Sequence, residues 1–137
     1  MNELVEEWFH KADADFATAE REAAATERPN HDAVCFHAQQ CIEKCLKGLL
    51  IAVGVTPPKV HDLAHLSRLL TPVHPNWTWP LEELHCLSRA AVEFRYPGEE
   101  ADSEDADRAL DICRRMRSAL GEVRQTLKAK ERADRES

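Results

Sequence analysis

The sequence predicts an all-α protein, an antiparallel up-and-down bundle of four or five helices. Three observations lead there. Ala, Leu, Glu and Arg are abundant, residues that lose little rotamer freedom in a helix, while glycine occurs 4 times and aromatic residues make up only 6%. Apolar residues recur at three- and four-residue spacing over long stretches. Every proline falls between those stretches. A chain of 137 residues with 43% hydrophobic content forms one domain, 1–137, because a second would have no core. The polar residues from about 128 to 137 are expected to fray.

The first helix, about residues 2–26, places Leu4, Val5, Trp8, Ala12, Phe16 and Ala19 on one stripe, and Arg28-Pro29-Asn30 closes it. The second, about 31–53, starts on Asn30 as N-cap and is the most apolar. Its stripe is Val34, Ala38, Cys41, Ile42, Cys45, Leu46, Leu49 and Leu50, and Gly54 and Pro57-Pro58 stop it. A short third helix, about 61–71, carries Leu63, Leu66, Leu69 and Leu70 and ends at Pro72. Pro80 suits the first turn of the fourth, where Leu81, Leu84, Leu87, Ala91 and Phe94 stay in register until Pro97-Gly98. The fifth begins near Asp102 or Ser103. Its early carboxylates Glu104, Asp105 and Asp107 suit the positive end of the dipole, and its stripe runs Ala106, Ala109, Leu110, Cys113, Met116, Leu120, Val123 and Leu127.

Charge and cysteines narrow the function. Lys and Arg total 18 against 25 Asp and Glu, a net charge of −7 that opposes general attraction to a phosphate backbone, so any contact with nucleic acid needs a local patch. Cys35, Cys41, Cys45, Cys86 and Cys113 are an odd set without a C-x-x-C pair, which reads as small buried hydrophobes rather than a disulfide frame or zinc finger. No apolar run is long enough to span a bilayer, and the start lacks a basic and apolar leader. A cytoplasmic protein with no membrane contact, no cofactor and no metal is expected.

Three segments in order carry a resemblance: CFHAQQCIEKCLKGLLIAVG at 35–54, PPKVHDLAHLSRLL at 57–70 and RAAVEFRYPGEE at 89–100. Together they resemble the HEPN family, the higher eukaryote and prokaryote nucleotide-binding domain, in its small stand-alone prokaryotic form with an Arg-Tyr-Pro motif. The resemblance implies a four- or five-helix bundle, a homodimer and frequent pairing with a minimal nucleotidyltransferase. It also implies that many relatives are metal-independent RNases and toxins. In those, an Arg is followed after a few residues by His. The His exchanges protons as the RNA 2′-hydroxyl attacks, and the Arg holds the phosphorane. Arg95 matches the Arg, but Tyr96, Pro97, Gly98, Glu99, Glu100, Ala101 and Asp102 follow it, so the His is absent. No RNase activity by that mechanism is expected.

The remaining polar residues supply a candidate ligand site of Arg95, Tyr96, His37, Gln40, Lys44, Lys47 and His61. Arg95 either binds a phosphate or pairs with Glu99, Glu100 or an acid on a neighbouring helix. His37, Gln40, Lys44 and Lys47, spaced by three, four and three, share one helical face that holds a nucleotide phosphate or a partner helix, or else is a hydrated flank. His61 and His65 have metal-gripping i, i+4 spacing but no third ligand, so a cap and loop brace at His61-Asp62 is the better reading. Trp77 and Trp79 either stack on a base or seal one end of the bundle or a dimer interface. Phe36 and Ile51, outside the main stripe of the second helix, point to a surface that a second chain covers. Two function classes follow. One is a non-catalytic nucleotide- or RNA-binding module working with a nucleotidyltransferase in a toxin–antitoxin-like system. The other is an RNase toxin using Arg95 with a non-standard second residue such as His37 or His61.

Overall fold

Asn2, Asn30, Asp62 and Asp102 each turn a side-chain oxygen onto a backbone N–H of the following turn, so four helices begin on caps that the sequence supplies. The computed structural model describes residues 1–94 and 96–137. It contains α1 (Glu3–Ala23), α2 (His31–Ala52), α3 (Leu63–Leu70), α4 (Leu81–Glu93) and α5 (Ser103–Glu136), an all-α bundle with no strand among the described residues. At α5 the cap is reciprocal: Asp102 accepts from the Asp105 N–H while Asp105 accepts from the Asp102 N–H. Asp62 caps α3, and the helix begins at Leu63, the first residue of its apolar pattern, two residues after the expected bound of about 61.

Helix α2 is the axis of the fold and packs against all four other helices. Its expected stripe, Val34, Ala38, Cys41, Ile42, Cys45, Leu46, Leu49 and Leu50, is buried, and so are Cys35 and Gly48 around it. Cys113 also lies in the core, and only Cys86 reaches partly to the surface. Two stripe members of other helices do not follow the pattern: Leu4 and Leu81, each in the first turn of its helix, are 52% and 53% exposed. Phe9 and Ile112, outside the expected stripes, are buried in their place.

The loop aromatics close one end of the bundle. Trp77 is buried, donates its indole N–H to Ser67 Oγ at 2.8 Å and stacks on Trp79 with centroids 5.8 Å apart. Trp79 in turn donates to Glu83.

Helices α1 and α5 meet through a repeating antiparallel set of pairs. Glu6, Asp13 and Glu20 of α1, seven residues apart, accept from Arg124, Arg117 and Arg114 of α5 respectively. The guanidinium of Arg117 lies 4.2 Å over the Phe16 ring and that of Arg124 lies 4.0 Å over Phe9. The last turns of α5 are held too, since the Met1 ammonium pairs with Glu131 at 2.8 Å and Lys128 approaches Glu6. Helix α5 runs on to Glu136, through the tail expected to fray.

Two mid-helix glycines sit in opposite surroundings. A Cβ on Gly48 would stand 3.1 Å from both the Phe9 ring and Trp8 Cβ, whereas one on Gly121 would meet nothing within 4 Å. Gly48→Leu is expected to lower stability by about 1–3 kcal/mol through overpacking. Gly121→Ala is expected to raise it by about 0.5–1 kcal/mol through helix propensity. Urea unfolding of the two variants checks both signs.

Candidate functional site

Because α2 is enclosed, its polar residues must find partners inside the protein, and they do so in two groups. Toward α1, the buried Asp15 accepts from Lys44 Nζ at 2.5 Å and from His37 Nδ1 at 2.7 Å. Toward the loop before α3, buried Glu43 accepts from Lys47 Nζ at 3.0 Å, from Gln39 Nε2 at 3.0 Å and from His61 Nδ1 at 2.9 Å. Gln39 Nε2 also reaches the His61 carbonyl, and Gln40 donates to Gln39 Oε1. The single polar face expected of His37, Gln40, Lys44 and Lys47 is thus split. His37 and Lys44 serve α1, Lys47 serves Glu43, and Gln40 lies between.

Burial pushes the Glu43 carboxyl up, but hydrogen bonds from Gln39, His61 and Lys47 more than offset it and hold the group below its ordinary value of 4.5. A carboxylate only accepts, so the bonded Nδ1 of each histidine carries the proton. That orientation leaves Nε2 of both rings for a ligand. The His61 side chain is 76% exposed and the His37 side chain 28%.

His61 stands at the rim of a cavity of about 270 Å³ between α2 and α4, lined by Phe36, Gln39, Gln40, Ser88, Ala91 and Val92. Phe36 and Ala91 also line a neighbouring cavity of about 360 Å³ with Asn30, Asp32 and Phe94. The two compartments form a groove along the first half of α2. Ser88 is fixed in its wall by accepting the Leu63 N–H at 3.1 Å. Past α4 comes the turn of the Arg-Tyr-Pro-Gly segment, in which Gly98 takes φ 95° and the Glu99 N–H donates to the Tyr96 carbonyl. Tyr96 is 65% exposed there. Arg95, the residue expected to meet a phosphate, lies outside the described residues. After the turn, the Ala101 N–H donates to Asp32 at 2.7 Å and ties the start of α5 to α2.

A family model, the HEPN domain, matches residues 5–123. The chain belongs to the HEPN domain family. Two crystal structures share the fold. One, of an archaeal HEPN homologue, is 24% identical with a TM-score of 0.63, over 90% of this chain and 97% of the other. A second, of a protein from Thermus thermophilus, is 23% identical with a TM-score of 0.69, over 86% of this chain and 96% of the other. No curated protein is significantly similar to the chain.

In this HEPN domain the structure brings His61, Gln40 and Lys47 into one network and puts His37 and Lys44 in another. Asp15, Phe36 and Ser88 join these sites without having been singled out as ligands from the sequence, and Gln39 and Glu43 prove central rather than flanking. One signal does betray Glu43: Glu43 and Lys47 form an i, i+4 charged pair inside the most apolar helix, where a charge without a partner is untenable.

Removing one member of the buried network leaves the others unpaired. Glu43→Ala is expected to cost about 3–5 kcal/mol, read by urea unfolding. Since folding lowers the Glu43 value, its contribution is present above about pH 4.5 and is lost as the pH falls further. Stability measured from about pH 6 to about pH 3 should therefore fall less steeply in Glu43→Gln than in the wild type.

Proposed function

We propose that this HEPN domain is a non-catalytic binding module that takes a nucleotide, or the end of an RNA, in the groove between α2 and α4. The observation that carries this reading is the make-up of the groove at His61. An aromatic residue, Phe36, and the apolar Ala91 and Val92 stand beside the amide of Gln40, the Ser88 hydroxyl and the outward Nε2 of His61. A nucleobase needs that combination, a flat apolar contact together with donors and acceptors at its edge. Arg95 and Tyr96, next along the chain from α4, are the residues proposed to meet the phosphate. The net charge of −7 and the carboxylate of Asp32 in the neighbouring compartment disfavour a long polyanion, so a mononucleotide suits the groove better than an extended strand. Exposed Val92 and Tyr96 beside the groove support a homodimer there, and family membership supports a nucleotidyltransferase partner in a toxin–antitoxin-like pair.

A second reading draws on the two carboxylate-held histidines. An imidazole with Nδ1–H on a carboxylate and Nε2 free is arranged for proton transfer, and His61 or His37 could serve with Arg95 in metal-independent RNA cleavage.

Calorimetric titration with the four nucleoside monophosphates tests the first reading. Saturable binding is expected, weakened about tenfold or more by Gln40→Leu and by Arg95→Ala, consistent with the loss of one charge-assisted or well-formed polar contact each. Absence of saturable binding for all four would sink it. For the second reading the assay is RNA cleavage, where no product is expected. Cleavage abolished by both His61→Ala and Arg95→Ala would instead establish the RNase.

A further inference from the structure

The far side of α2 from this groove carries a different opening. Between α1 and α5, Phe9, Asp13, Cys45, Arg117, Ser118, Gly121 and Arg124 enclose a cavity of about 280 Å³. Cys45 belongs to the face of α2 turned away from Glu43, so this cavity and the nucleotide groove do not communicate through α2. We propose that this notch is a second ligand site, one that takes a small phosphate-bearing anion between Arg117 and Arg124.

Four features of the notch lead to that chemistry. Gly121 lies between the two arginines in sequence, four residues after one and three before the other, so all three share a face of α5 and no side chain fills the gap between the guanidinium groups. Each guanidinium is set in place before a ligand arrives, stacked on a phenylalanine ring and hydrogen bonded to a carboxylate of α1. Most of their N–H donors nevertheless remain without a protein acceptor, and Arg124 Nε is the one buried polar side-chain atom among the described residues that has none. The floor carries no charge: Phe9 is apolar, and the hydrogen bond that the Cys45 thiol donates to Cys41, together with burial, holds that thiol well above its ordinary range.

Phosphate suits the site better than a halide or a single carboxylate. Its oxygens match guanidinium forks in pairs, and a phosphate can be met from two sides at once. The opposing group is Asp13, whose carboxylate lines the notch and accepts from Arg117 at 3.1 Å. That pair is exposed, with side chains 40% and 60% accessible, so it opens easily in favour of a more highly charged acceptor. Arg117 and Arg124 are met by Asp13 and Glu6, and Lys128 stands beside Glu6, so these five side chains leave an excess of one positive charge, a local reversal of the acidic protein as a whole.

The test is a pyrophosphate titration of the full chain followed by amide NMR at constant ionic strength in sodium chloride. Saturable shifts centred on Ser118 and Gly121 are expected. Arg117→Gln should weaken binding about tenfold, the loss of one bidentate partner. Gly121→Leu keeps both arginines, replaces glycine with a better helix former and fills the notch, so it should abolish the shifts without unfolding the chain. Shifts that never saturate, that persist in Gly121→Leu, or that centre on Phe36, Gln40 and His61 instead would overturn the proposal.

Discussion

The enclosure of α2 is the constraint on which the rest of the structure depends. A helix packed by four others has little solvent-facing surface on which to leave polar residues, yet this one carries Gln39, Gln40, Glu43, Lys44 and Lys47 in its middle. Each must be satisfied within the protein, because an unpaired buried charge costs several kcal/mol by itself. The partners recruited for that purpose lie on other elements, Asp15 on α1 and His61 before α3. Satisfying the polar residues of α2 therefore fixes where α1 lies and where the loop into α3 must run. The Gln39 bond to the His61 carbonyl adds a backbone tether to the same point.

The same requirement shapes the chemistry on offer. Carboxylates buried to neutralise lysines also hold histidines, and each fixes Nδ1 while leaving Nε2 available. Orientation alone does not make a catalyst. A nuclease of this family's pattern needs Arg and His in one helical segment, and here the residues after Arg95 form a turn at Gly98, with exposed Glu99 and Glu100 in place of an imidazole. The histidines that the structure holds on carboxylates, His37 and His61, lie on α2 and on the loop before α3. Those are the elements that form the groove, so binding and its degenerate catalytic alternative draw on one set of side chains.

The helical frame is legible in the sequence because periodicity and punctuation report directly on burial and on chain direction. Val34 through Leu50 behave as their spacing requires, and Asn30 and Asp62 cap as their residue types favour. Leu4 and Leu81 do not: Leu4 and the buried Val5 sit side by side in one turn, and an apolar pattern does not say which of two neighbours faces the core. The site is harder to read for a related reason. His37, Gln40, Lys44 and Lys47 do share a broad face, but a face does not reveal that α1 brings an aspartate to one edge and a loop brings a histidine to the other. In the sequence Asp15 is one acid among many on a solvated helix side. Only its position opposite Lys44 makes it a buried partner.

Helix α5 shows how an acidic protein can carry many arginines without presenting a basic surface. Glu6, Asp13 and Glu20 recur every seven residues on α1 and meet Arg124, Arg117 and Arg114 in antiparallel order. Singly, such exposed pairs contribute about 0–1 kcal/mol, too little to hold two helices together. Their value is in register. Sliding α5 by one turn would bring Arg117 away from Asp13 and Phe16 and Arg124 away from Glu6 and Phe9 at once, losing ion pairs and ring contacts together. Hydrophobic burial along Ala109, Cys113, Met116 and Leu120 supplies the attraction, and the charged rungs select one alignment from those the apolar stripe would tolerate. Arg117 and Arg124 are seven residues apart, and because Gly121 lies between them the gap stays open. The notch at Gly121 is thus a by-product of how the two helices are kept in register, and its electropositive walls are the rungs themselves.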